Sequence, residues 1–115
     1  MRPPAYADKQ LRIWRTASPP GLRLSGQVDL TNQHAFLTHL LALDGAPDRV
    51  TIDLCRVTFF SFASLHALVS YAELLAPGRR LILCTRTPII GQMLAACGWT
   101  RPELPLTLLE EDCDD

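Results

Sequence analysis

Arg49-Val50-Thr51-Ile52-Asp53-Leu54, then Thr58-Phe59-Phe60-Ser61, then the spaced apolar residues Leu65, Leu68, Val69, Ala72 and Leu75 decide how this chain folds. The first stretch is short, apolar and rich in β-branched side chains, which suits a buried strand. The second reads as the connection leaving that strand. The third repeats at i, i+3, i+4 spacing and stops at Pro77-Gly78, residues that end helices. Arg80 to Thr85 then repeats the strand signature, so strand and helix alternate.

Working toward the N-terminus, Phe36, Leu37, Leu40, Leu41 and Leu43 fall at helical spacing and end near Gly45. Gln27-Val28-Asp29-Leu30-Thr31-Asn32 precedes them with several side-chain oxygens able to cap a helix. Before it, Lys9 to Thr16 alternates apolar and polar residues, as does Leu22 to Ser25. Ser18-Pro19-Pro20-Gly21 forces a turn between these two runs, which predicts an antiparallel hairpin closed at Gly26. Toward the C-terminus, Thr87 as N-cap, Pro88 at the first helical position and Gly98 past the last turn frame a third helix. Its apolar face is Ile89, Ile90, Met93, Leu94 and Cys97. Leu104 to Leu109 fits a last short strand or a helix, and Glu110 to Asp115 reads as a frayed acidic tail. A hairpin followed by alternating strands and helices implies right-handed crossovers, a mixed sheet and an α/β fold with helices packed mainly on one face.

The chain has 115 residues, 48% hydrophobic and 20% charged, which suits one domain with a core over about residues 9–109 and no second core. A net charge of -1 gives no general field for phosphate backbones, and no basic and aromatic run supplies one locally, so nucleic acid is not expected as a partner. Prolines and charges interrupt residues 1–20, leaving neither a signal-peptide h-region nor a span able to cross a bilayer. A cytoplasmic location is expected. Cys55, Cys84, Cys97 and Cys113 form no C-x-x-C pair and lie beside no His at ligand spacing, so thiols are expected and a metal is not.

The order of elements and the residues at their junctions resemble the STAS domain family, the fold of bacterial anti-sigma-factor antagonists, over roughly residues 20 to 100. Leu24-Ser25-Gly26-Gln27-Val28-Asp29 is similar to the stretch after the family's second strand. Val50 to Leu54 is similar to its central strand with the Asp-Leu ending, and Thr87-Pro88 through Cys97-Gly98-Trp99 to its final helix. Val57-Thr58-Phe59-Phe60 and Ser61-Phe62-Ala63-Ser64-Leu65 occupy the place of its Asp-Ser-Ser-Gly-Leu loop and helix start. The resemblance implies a STAS-like fold and a non-catalytic protein-binding role, with a kinase-type anti-sigma factor as partner. In regulated antagonists that kinase phosphorylates the first Ser of the loop. Here that position is Phe62, which has no hydroxyl to accept phosphate, so the switch is not expected at its usual residue.

Asp29, Thr58, Ser61, Phe62, Ser64 and His66 are the expected partner-binding residues. Ser61 and Ser64 are the remaining hydroxyls that could take phosphate, although Ser61 is more simply the N-cap of the second helix and Ser64 a first-turn residue. Phe62 is either core filling or, at a loop-to-helix junction, an exposed binding anchor. Phe59 and Phe60 read as core, yet exposed they would suit a two-fold contact, so a homodimer stays open. His34 and His39 lie five apart on different helix faces, and no glycine group forms a phosphate loop, so neither an enzyme nor a cofactor is expected. The lost acceptor leaves a second reading: a STAS subunit or sensor that binds a small apolar ligand or lipid, or scaffolds a transport complex.

Overall fold

The computed structural model describes residues 2–43 and 48–110. Its elements run β1 (Tyr6–Ala7), β2 (Leu11–Ala17), β3 (Pro20–Val28), α1 (Gln33–Leu41), β4 (Arg49–Phe60), α2 (Phe62–Glu73), β5 (Arg80–Cys84), α3 (Ile89–Ala96) and β6 (Leu106–Leu109). The strands form one sheet in chain order. β1, β2 and β3 pair antiparallel, whereas β3, β4, β5 and β6 pair parallel, so the sheet is mixed as expected. Each parallel step proceeds in the same direction across the sheet, and right-handed crossovers then carry α1, α2 and α3 over the same face.

Burial follows that arrangement. Leu11, Ile13, Leu22, Leu24, Val50, Ile52, Leu54, Leu81 and Leu83 alternate along the strands and are buried beneath the helices, together with Phe36, Leu40, Leu65, Leu68 and Leu94. The alternate strand positions on the other face, among them Arg12, Trp14, Arg23, Ser25 and Asp53, stay half-buried or exposed. α1 contacts both α2 and β3. Phe36 and Phe60 meet edge-on, with ring centroids 5.7 Å apart, and this locks the first helix over the end of β4.

The sequence reading needs correction at several element ends. β4 does not stop at Leu54: Arg56 to Phe60 continue it by pairing with Ser25 to Val28 of β3. Gly26 does not close the hairpin but lies inside β3 at φ +111, where a Cβ would come within 1.9 Å of the Gln10 carbonyl oxygen. The register of β3 against β4 shifts twice, between Arg23 and Ser25 and between Gly26 and Gln27. Such bulges were invisible because they depend on a long-range partner. The two-residue β1 was not anticipated, and β6 settles the last segment as a strand. Pro88, not Thr87, is the N-cap of α3: the helix starts at Ile89, and the Gln92 amide donates to the Pro88 carbonyl at 2.9 Å.

Cys84 and Cys97 are in no disulfide, but Cys55 is disulfide-bonded, which corrects the expectation of thiols throughout. Cys55 is half-buried. The expected acidic tail lies outside the described residues apart from Glu110, and so do Gly45 and Cys113. Among the described residues no helix is long and apolar enough to cross a membrane.

Candidate docking site at the start of the second helix

Ser61 holds an extended conformation at the end of β4 and caps α2: its Oγ accepts from the Ser64 amide at 3.1 Å. This satisfies one of the unpaired N–H groups at the helix start, a contribution of about 1 kcal/mol. The Ser61 amide donates to the Val28 carbonyl at 2.9 Å, which ties the junction to the end of β3. Ser61 Oγ donates in turn to Ser64 Oγ at 2.7 Å, and Ser64 Oγ donates to Gln33 Oε1 on α1 at 3.3 Å. Ser64 is completely buried. It joins two helices and offers no hydroxyl to a partner or a kinase in this conformation.

Phe62 points outward, 55% exposed, as the anchor reading requires. Its ring lies 5.6 Å from that of Trp99, and His66, one helical turn further on α2, lies 5.5 Å from the same indole. Phe62, His66 and Trp99 therefore form one aromatic ridge. Phe59 corrects its core reading: it is 52% exposed, whereas Phe60 is buried as expected. Ile89 at the start of α3 is also exposed, and between α3 and β4 runs a cleft of about 400 Å³ lined by Val57, Phe59, Phe62, Thr87, Ile89 and Met93 among others. Thr58, on the same rim, donates from Oγ1 to the Gly26 carbonyl at 3.3 Å.

Asp29 stands apart in role. Its Oδ1 accepts from the amide and hydroxyl of Thr31, forming a local turn before α1. Asn32 is buried and makes no capping bond; its Oδ1 instead accepts from the Asp29 amide at 3.0 Å and its Nδ2 donates to the Gln27 carbonyl at 2.9 Å. These bonds hold the β3–α1 loop in shape. The sequence reading thus selected Thr58, Ser61, Phe62 and His66 from one surface. It gave Phe59 only as core or a two-fold contact and did not single out Trp99 or Ile89, whose signal was an aromatic just beyond Gly98 and an apolar residue at a helix start. His34 lies exposed on α1, away from this ridge, and His39 packs its ring 6.0 Å from that of Tyr6. No group of His, Cys, Asp or Glu among the described residues could hold a metal ion.

The comparisons with known proteins agree with this architecture. The family model described as "Mlab, STAS domain" matches residues 11–110. Among solved structures, the chain is similar to an anti-sigma factor antagonist from Mycobacterium paratuberculosis at 20% identity, with a TM-score of 0.74 and 88% of each chain covered. That likeness extends the agreement to the strand order and the placement of the helices. No curated protein matches the sequence.

Proposed function

The chain belongs to the STAS domain family, and from that premise we propose that it is a non-catalytic regulatory module that binds a kinase-type anti-sigma factor through the start of α2. The single observation that carries this reading is the exposed ridge of Phe62, His66 and Trp99 beside the apolar cleft. Phe59, Phe62 and Ile89 are each about half exposed. Covering such a side chain gains on the order of 1 kcal/mol, so together they can anchor an interface.

In this reading the complex is not dissolved by phosphate at the usual position. Phe62 carries no hydroxyl and Ser64 is sealed against Gln33, which leaves Ser61, itself engaged as a cap. Binding is then governed by abundance or by competition. The test is a calorimetric titration against the kinase-like regulator encoded nearest to this chain, with intact-mass measurement after incubation with ATP. We expect an unmodified complex, and an increase in Kd of at least about ten-fold for Phe62→Asp, which puts a charge into the desolvated patch. Equal affinity of the variant would remove the ridge from the interface.

The cleft favours a second reading, in which the module accepts a small apolar ligand or lipid, or serves as a subunit of a transport assembly. Its lining by Val57, Phe59, Ile89 and Met93 supports apolar occupancy. Native mass spectrometry of the purified chain distinguishes this reading by a retained ligand that Met93→Asp releases.

A further inference from the structure

On the face away from the helices the sheet carries a basic trough. Register sets Arg12 of β2, Ser25 of β3 and Arg56 of β4 in one row, and Trp14, Arg23 and Asp53 in the next. With strands about 4.8 Å apart, Arg12 and Arg56 flank Ser25 across roughly 10 Å. Arg2 closes one side: its guanidinium donates to the Arg15 carbonyl at 2.9 Å, and the Trp14 indole donates to the Arg2 carbonyl at 3.2 Å. The space enclosed is about 410 Å³, and among the described residues no carboxylate lines it, Asp53 of the second row lying outside that lining. Arg23 is held by Asp53 at 3.2 Å, but the guanidinium groups of Arg12 and Arg56 meet no carboxylate among the described residues.

We propose that this trough is a second binding surface, separate from the α2 ridge, and that it takes an acidic polypeptide segment of a partner protein. Several features select that occupant. The gap between Arg12 and Arg56 spans a single strand, the width of one extended chain, and is too narrow for the two phosphate rows of a duplex. Its floor is recessed, with Trp14 half-buried, so a flat bilayer would touch the arginine tips and leave Ser25 and Trp14 uncovered. The guanidinium fork matches a carboxylate, as the Arg23–Asp53 contact on the same face shows. Ser25 adds a hydroxyl on the floor between the two unpaired charges.

The test is a titration of the whole chain with a decaglutamate peptide, followed by amide chemical shifts and tryptophan fluorescence. Oligothymidylate of equal charge and phosphatidylglycerol vesicles serve as rival probes. The expected result is shift changes centred on Arg12, Trp14, Ser25 and Arg56, with affinity falling as salt rises. Arg12→Glu combined with Arg56→Glu should weaken binding by at least about ten-fold. Arg56→Gln, a milder change at an exposed position, should weaken it by about three-fold and guards against misfolding of the double variant. Absence of shifts in the trough, equal affinity of both variants, or tighter binding there of oligothymidylate or vesicles would overturn the proposal. None of these outcomes touches the Phe62 ridge, whose test uses a different partner and a different residue.

Discussion

At the carboxyl end of β4 the chain exposes Phe59 and then Phe62, whereas a few residues earlier the same strand exposes Arg56 beside Arg12 and Arg23. One surface is apolar and flanked by helices; the other is cationic and lies on the uncovered sheet face. The two register shifts between β3 and β4 separate them. Strict alternation from buried Leu54 would turn Arg56 toward the core, but the first shift adds a residue to β4 and sets Arg56 opposite Ser25 on the open face. The second shift restores the earlier phase, so that Phe60 is buried against Phe36 and Phe59 is left outside. A pair of irregularities in one ladder therefore decides which side chains each surface receives.

The largest effect is expected where that ladder is least tolerant. Gly26 sits between the two shifts, and a methyl group there meets the Gln10 carbonyl carbon at 3.0 Å and its oxygen closer still. Both the positive φ and the clash oppose any side chain. We expect Gly26→Ala to cost about 3 kcal/mol in urea unfolding and to damage both surfaces together. Loss of only one of the two binding activities, with stability unchanged, would show that the surfaces do not share this origin.

Trp99→Ala sharpens the comparison from the apolar side. The indole supports both Phe62 and His66, so its removal should weaken regulator binding by about 2 kcal/mol, or roughly 30-fold, as a hot-spot residue does. Decaglutamate binding in the arginine trough should not change. A parallel loss of both in calorimetry would mean that the substitution acts through the fold.

The alternating pattern of β2, the apolar run opening β4 and the spacing in α2 were legible because each is local: period two or period 3.6 appears within a few residues. The mixed sheet followed from those elements and the handedness of crossovers, whereas the strand order came only with the structure. Phe62 and Ser61 were legible because a loop-to-helix junction has its own chemistry. Trp99 was not, because its meeting with Phe62 depends on how α3 returns across the sheet. Arg12 and Arg23 fall at polar positions of alternating runs and Arg56 lies past the expected end of its strand, and nothing local says that three separate strands align them. Ser64 looked accessible in sequence, yet Gln33 of another helix buries it.

A smaller effect is expected at the cap. Ser61→Ala removes the acceptor for the Ser64 amide and should cost about 1 kcal/mol in unfolding. Ser61→Asp keeps an acceptor at the helix start and should retain most of that stability. If Ser61→Ala proves neutral by denaturant titration, the junction is held by the Val28 and Gln33 bonds alone, and the ridge is less dependent on its cap than the geometry indicates.

The smallest expected effect lies remote from the ridge and provides a control for the comparison. Asp8 accepts from the Tyr6 hydroxyl at 2.7 Å and from the Gln10 and Leu11 amides at 2.6 and 2.7 Å, closing the β1–β2 turn. Desolvation pushes its carboxyl up, but these hydrogen bonds together outweigh it and hold the pKa below its ordinary 3.8; the Asp8 bond in turn raises the Tyr6 phenol above 10.0. The signs give a two-sided window. The Asp8 contribution is full above the unfolded carboxylate value and disappears as pH falls through the lowered native one. The Tyr6 contribution is full below the unfolded phenol value and disappears as pH rises through the raised native one. Asp8 is exposed and the bond it shares with the half-buried Tyr6 lies at the surface, so the change is small. Thermal unfolding of Asp8→Asn should show a shallower loss at the acid limb and an unshifted tyrosine titration at the alkaline one. Because residues 8–10 line neither the trough nor the cleft beside the ridge, decaglutamate and regulator binding should both stay unaltered.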